Sequence, residues 1–267
     1  MNMCGVVGVT NRLRRGWERL ILQLIRPSNI HLFYFRQAGW EMTNAEATLE
    51  RSKLSRVEVL QKATAEACVC EEEWRACAED ILAKNQIAPA VFATSVMNLL
   101  KVGRGKYNNV MIVGPANCGK TFILNPLTNI YKTFSNPATG SFAWVGAEEA
   151  EVLFLNDFRW SAKMIPWHDL LLLLEGQPVH LPAPKTHYSR DLVLDKDTPV
   201  FATGKHQLVY VRGGEVDERE TEIMTVRWRI FNFFHQIPAE DQKVTPQCAR
   251  CFAKFITENA GDELCQG

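Results

Sequence analysis

The stretch Gly114-Pro115-Ala116-Asn117-Cys118-Gly119-Lys120-Thr121 constrains this chain more than any other. It has the form Gly, four residues, Gly-Lys-Thr, the pattern of a loop that wraps phosphate. Gly114 and Gly119 permit backbone angles that a side chain would forbid. The loop N–H groups can then curl around a β-phosphate, and a following helix turns its N-terminus to the same anion. Lys120 reaches the β- and γ-phosphates, and Thr121 offers its hydroxyl to Mg²⁺. This chemistry needs an apolar strand before the loop and a helix after it. Residues 110–113 supply the strand, and a helix is expected from near Lys120.

A Mg²⁺ site also needs an acid at the end of a neighbouring strand. The apolar run 152–155 ends in Asn156-Asp157, 37 residues after Lys120, and Asp157 is the carboxylate at that strand end. The competing reading of Asp157 is a cap for the next turn. Residues 151–155, 199–203 and 230–234 read as three further short buried strands. A helix over 167–175 and a hairpin lie between the second and third. Strands alternating with helices predict an α/β domain with a largely parallel central sheet.

Ahead of this domain the pattern is helical. Residues 44–67 and 71–85 form two expected helices, the second with Trp74, Cys77, Ala78, Ile81 and Leu82 on one face. Pro89 opens a third, with Val91, Val96, Leu99 and Leu100 as its apolar face, and Gly103 ends it. The chain therefore divides into a basic arm (1–42), a small helical bundle (43–105), the phosphate-loop core (106–240) and a C-terminal helix and tail (241–267). The arm carries Arg12, Arg14, Arg15, Arg19, Arg26 and Arg36 against the single acid Glu18. It reads as an irregular basic segment, with a mitochondrial presequence as the alternative.

The 46% apolar content suffices for a core, and 30 basic residues balance 30 acidic ones, which excludes a global basic field. No run of apolar residues is long enough for a membrane-spanning helix. Eight cysteines in 267 residues do not make a disulfide scaffold and fit a reducing compartment. Cys68-x-Cys70 and Cys248-x-x-Cys251 have the spacing of two zinc-chelating pairs. They lie 178 residues apart, so the reading favoured for them is separate buried or surface thiols.

From about residue 71 to 236 the chain resembles a superfamily 3 helicase domain, the ATPase of parvovirus non-structural replication proteins and circovirus-type replication initiators. Genome-integrated, virus-like copies would carry the same motifs. The resemblance implies an AAA+-like P-loop NTPase fold, with ATP and Mg²⁺ as cofactors. It implies ATP-dependent unwinding of single-stranded or forked DNA by a homo-oligomer, a hexameric ring, in the nucleus. Residues 114–121 match the family's first motif, and Asn156-Asp157 match a strand ending in two acids. Lys185, His187 and Arg190, with Tyr188 beside them, match a loop that touches DNA in the ring's channel. Residues 198–203 match the strand that ends in a sensor Asn; Gly204 stands at the sensor position, followed by Lys205. Arg227 matches an arginine that enters the neighbouring subunit's ATP site, and its alternative role is an ion pair with the acids of 217–220.

Two departures bear on turnover. Asn156 replaces the first acid of the pair, and an amide is a weaker partner for a hard cation than a carboxylate. Gly204 removes the sensor side chain. The six histidines form no His-apolar-His pair, so the nicking domain of full-length relatives is expected to be absent or encoded elsewhere. Three functions stay open: a helicase, a nucleic-acid-stimulated ATPase without unwinding, and a non-catalytic nucleotide-binding module.

Overall fold

The computed structural model describes residues 48–135, 142–184, 192–242 and 245–261. The arm expected over 1–42 lies outside them. Residues 55 onward form one compact unit, and 48–54, part of a separate one, hold a helical turn over 48–52.

The single helix expected over 44–67 is interrupted. A new helix, α1 (Arg56–Ala63), starts at Ser55 because a capping box forms there. The Ser55 hydroxyl accepts from the Glu58 N–H at 3.2 Å, and the Glu58 carboxylate accepts from the Ser55 N–H at 2.7 Å. Helix α2 (Glu73–Lys84) buries Trp74, Ala78, Ile81 and Leu82, while Cys77 is half-buried. Helix α3 (Pro89–Val102) begins on proline and stops at Gly103. There a Cβ would meet the Asp197 carbonyl at 2.1 Å, and φ is +87°. Its buried stripe is Phe92, Val96, Leu99 and Leu100; Val91, one step off that stripe, is exposed rather than buried as expected.

The central sheet has the order β2-β3-β6-β1-β9 and every pair is parallel. Its strands are β1 (Asn109–Val113), β2 (Thr133–Ser135), β3 (Val152–Leu155), β6 (Val200–Gly204) and β9 (Trp228–Asn232). Strands β1 and β6 are buried at every position, as central strands covered on both faces must be. The expected strand at 230–234 begins two residues earlier, at Trp228. β2 carries no apolar run to read: at the sheet edge Thr133 and Phe134 are half-buried and Ser135 is exposed.

Helix α4 (Lys120–Leu124) follows β1, and α5 (Leu127–Ile130) follows after the interruption at Asn125-Pro126. Helix α6 (Trp167–Glu175) presents Leu170, Leu171, Leu173 and Leu174 to the sheet residues Met111, Leu153, Leu155 and Ala202. The expected hairpin is present as antiparallel β4 (Val179–Leu181) and β5 (Leu192–Leu194), paired with Val179 opposite Leu194. A second small hairpin, β7 (Val211–Arg212) and β8 (Glu215–Val216), turns on Gly213-Gly214, both at positive φ.

Helix α7 (Glu218–Thr225) occupies what reads in sequence only as an acidic run. Asp217 caps it by accepting from the Glu220 N–H at 3.1 Å. The tail helix α8 (Ala249–Asn259) packs on α1, α2 and α3. Trp74 joins these layers, with Phe252 and Phe255 at 5.6 and 6.3 Å and Phe122 of α4 stacked at 5.8 Å. Among the described residues no helix is long and apolar enough to cross a membrane.

Candidate nucleotide-binding site

The phosphate loop joins β1 to α4, at the C-terminal edge of a parallel sheet, where ligands bind in such folds. Both glycines are required by close packing. A Cβ at Gly119 would lie 2.8 Å from Ile81 Cδ1, and one at Gly114 would lie 2.1 Å from the Phe233 carbonyl oxygen. Gly119 is also left-handed, at φ +85°. Helix α2 therefore buttresses the loop from behind through Ile81. Cys118 is buried and turns its thiol to the Pro115 carbonyl at 3.1 Å. Asn117 is left-handed, at φ +56°, and its carbonyl accepts the Ile237 N–H at 2.8 Å.

Lys120 folds its ammonium over the loop, donating to the Gly114 carbonyl at 2.8 Å and also to the Pro115 carbonyl. Those are weak, exchangeable partners compared with a phosphate oxygen. Helix α4 is only five residues long because Pro126 has no N–H to extend it. The loop N–H groups, more than a long helix, are what this site offers to an anion.

Three strand ends meet beside the loop. The Gly114 N–H donates to the Gly204 carbonyl at 3.1 Å, tying β1 to β6. The Asn156 side-chain oxygen accepts the Thr121 hydroxyl at 2.8 Å and the Thr203 hydroxyl at 2.9 Å. Thr203 in turn accepts the Asp157 N–H at 2.8 Å. One amide oxygen thus links the loop threonine, the end of β3 and the end of β6. Thr203 was not singled out in the sequence, although it is the last polar residue of its strand.

Asp157 has a left-handed backbone, at φ +48°, and an exposed carboxylate 3.4 Å from the Arg159 guanidinium. Both side chains are solvated, so this ion pair is weak and open to exchange. Gly204 is buried; a Cβ there would touch Met111 Cε at 3.0 Å and the His206 carbonyl at 3.2 Å. Lys205, next along, is exposed. Lys185, His187 and Arg190 lie outside the described residues, between β4 and β5.

The reading of Arg227 as an arginine offered to a neighbour is corrected by the structure. Arg227 is 7% exposed and spent inside its own chain. Its guanidinium donates to the Leu171 carbonyl at 2.9 Å, to the Ile223 carbonyl, and to Glu175 at 2.7 Å. The alternative pairing with residues 217–220 does not form either. Arg104 is buried on the same helix end, donating to the carbonyls of Leu173, Leu194 and Lys196 at 2.7–2.9 Å. Burial pulls its guanidinium below the usual arginine range, opposed by Asp197 and Asp195. Asn109 adds a bond to the Leu174 carbonyl at 2.7 Å. These three side chains satisfy the last carbonyls of α6, which is why Arg227 cannot reach out.

The cysteine pairs, read as separate thiols, come together. Cys68, Cys70, Cys248 and Cys251 place their sulfurs within 4.8 Å of one another. Backbone N–H groups of Cys70 and then Glu72 pull the Cys68 thiol down to about 6, whereas burial pushes the Cys251 thiol well up.

The donor set suits a nucleoside triphosphate with Mg²⁺: a cradle that two glycines keep open, an ammonium with replaceable partners, a threonine hydroxyl and one exposed carboxylate. Fold and site together define an α/β P-loop NTPase of helicase type. Residues 41–263 match the family model of the parvovirus non-structural protein NS1. The chain belongs to that family and is a superfamily 3 helicase domain. Among solved structures it is similar to the JCV helicase crystallised with an N-(4-(2-(thiazolo[5,4-c]pyridin-2-yl)phenoxy)phenyl)acetamide ligand. That match has a TM-score of 0.51 and 14% identity, and covers 83% of this chain and 65% of the other. The chain thus spans about two thirds of the length of that helicase, and at this identity the likeness speaks for the fold. No curated protein matches the sequence.

Proposed function

We propose that this chain hydrolyses ATP to move along and unwind DNA, as a homo-oligomeric, hexameric ring serving replication of a viral or virus-derived element in the nucleus. The observation that carries the reading is the link from Thr121 through Asn156 to Thr203, which gathers the loop and two strand ends around one point. Lys120 neutralises the β- and γ-phosphates. Thr121 and Asp157 hold Mg²⁺, which supplies charge neutralisation on the phosphate oxygens. Lys205 takes the position beside the missing sensor side chain. Lys185, His187 and Arg190, which lie in sequence between β4 and β5, contact the strand in the channel. With Arg227 engaged inside its own chain, Arg229 becomes the arginine offered across the subunit boundary: it is exposed on β9, and no partner for it is found among the described residues.

A second reading, nucleotide-gated DNA binding with slow turnover, is favoured by the same Asn156. Its amide already satisfies Thr121 and Thr203, and it adds no negative charge beside Asp157. ATP turnover with and without single-stranded DNA, followed by strand displacement on a fork, separates the two. Stimulated turnover with displacement supports the first, and tight nucleotide binding with no displacement supports the second. Absence of nucleotide binding overturns both.

A further inference from the structure

The geometry points to a four-thiolate zinc site made by Cys68, Cys70, Cys248 and Cys251, remote in sequence from the phosphate loop and independent of the function proposed above. Four sulfurs around one zinc at about 2.3 Å stand about 3.8 Å apart on a tetrahedron's edges. The observed separations are 3.8 Å for Cys68–Cys70, 3.9 Å for Cys68–Cys248, and 3.5 Å for both Cys68–Cys251 and Cys70–Cys251. A disulfide would need about 2.05 Å between two of them. An iron–sulfur cluster would need its thiolates spread around several irons, farther apart than this.

The surroundings are those of a ligand shell. Cys70, Cys248 and Cys251 are buried and Cys68 is half-buried, so the four sulfurs are largely sheltered from solvent. Backbone N–H groups point at the sulfurs: Glu72 N to Cys68 at 3.4 Å, and Cys251 N to Cys248 at 3.5 Å. Such bonds offset the negative charge of metal-bound thiolate. Glu71 and Glu72, directly after Cys70, are both left-handed, at φ +49° and +68°. Two consecutive non-glycine residues in that region are uncommon, and the turn they make joins the first cysteine pair to the start of α2. Cys248 also caps α8, so the second pair sits at the first turn of that helix.

The site clamps the start of α2 to the start of α8. Two residues of α2 beyond the clamp matter for the loop: Trp74 stacks on Phe122 and also meets Phe252 and Phe255, and Ile81 backs Gly119. Zinc therefore fixes the helix that buttresses the phosphate loop, as a structural metal with four protein ligands and no open position.

The test starts with the full chain purified under reducing conditions without added metal, and with its metal content by elemental analysis and native mass spectrometry. One zinc per chain is expected. Replacement by cobalt should give the strong visible absorption of tetrahedral cobalt thiolate. Cys70→Ser and Cys251→Ser should each lose the metal and unfold at lower temperature, while Cys77→Ala keeps it. Cys68→His, which retains a zinc-binding side chain, should retain the metal; this variant and the wild-type analysis keep the test meaningful if the serine variants do not fold. Stoichiometric iron, a disulfide among these cysteines with no metal, or four free thiols with no metal would each overturn the assignment.

Discussion

The side-chain oxygen of Asn156 accepts the hydroxyl of Thr121 at 2.8 Å, joining the phosphate loop to the strand end where an acidic pair is expected. The amide fits the contact as a carboxylate would, but contributes no charge. Loop, strand and threonine positions are thereby kept while one of two negative charges is lost. Asn156→Asp should preserve the contact and restore the charge. Turnover of ATP at limiting Mg²⁺ should rise several-fold, read by phosphate release. Unchanged or lower turnover would show that the amide is not a deficit.

Lys120 and Asp157 should separate binding from chemistry. Among the described residues Lys120 is held only by loop carbonyls and the Cys118 sulfur, so Lys120→Ala should leave the unfolding temperature nearly unchanged. It should weaken nucleotide affinity by roughly tenfold or more, about 1.4 kcal/mol or above. Asp157→Asn should retain most of the nucleotide affinity and lose hydrolysis, since no other carboxylate stands at that strand end. Calorimetric titration beside a turnover assay reads both. Equal affinity for Lys120→Ala and wild type would refute the loop's assignment.

Arg227 is a structural residue here. Arg227→Ala would strand the Leu171 and Ile223 carbonyls and leave Glu175 without its cation. Because Glu175 is partly solvated, the cost is about 2–4 kcal/mol, at the lower side for a broken buried pair. Chemical denaturation measures it. A change under about 0.5 kcal/mol, the range of ordinary surface substitutions, would contradict the buried network.

Arg56 grips Asp197 through two hydrogen bonds, at 2.8 and 3.1 Å, joining α1 to the turn before β6. The Arg56 guanidinium holds the Asp197 carboxyl below the usual carboxylate range, against the opposing effect of burial. The folded pKa lies below the unfolded one, so the stabilisation is fully present above about pH 4 and is lost as pH falls through the folded value. The carboxylate is 61% exposed, which limits the pair to about 1 kcal/mol or less. Asp197→Asn should therefore lower the unfolding temperature slightly at pH 7 and not at all well below pH 4. A difference that persists at low pH would assign the effect to something other than this charge.

What the sequence revealed follows from where the information lies. The phosphate loop and the apolar runs of β1, β3 and β6 are local patterns, and each fell where expected. The acidic run at 217–220 hid α7 because only Met224 of that helix is buried, so it has no apolar stripe to read. Arg227 differs for another reason: a motif fixes its position just before strand β9, but the carbonyls at the end of α6 decide where its side chain goes. The four cysteines are the clearest case of non-local information. Their meeting depends on α8 packing back against α2, across 178 residues between Cys70 and Cys248, and no spacing rule encodes that.

The ring proposal now rests on Arg229, and mixing inactive subunits tests it. Arg229 is exposed on the edge strand β9, paired in register with Val110 and so away from the C-terminal strand ends that form its own site. Arg229→Ala should fold with unchanged stability, bind nucleotide and fail to hydrolyse it. Lys120→Ala should fail at its own loop while still offering Arg229 to a neighbour. In a mixture, some boundaries pair an intact loop with an intact Arg229, so DNA-stimulated turnover should partly return and peak at intermediate ratios. An arginine acting across subunits is worth several orders of magnitude in rate, which makes even a minority of restored boundaries measurable. Turnover by Arg229→Ala alone at the wild-type level would remove this residue from the reaction. No recovery at any ratio, with both variants assembled, would remove the shared site.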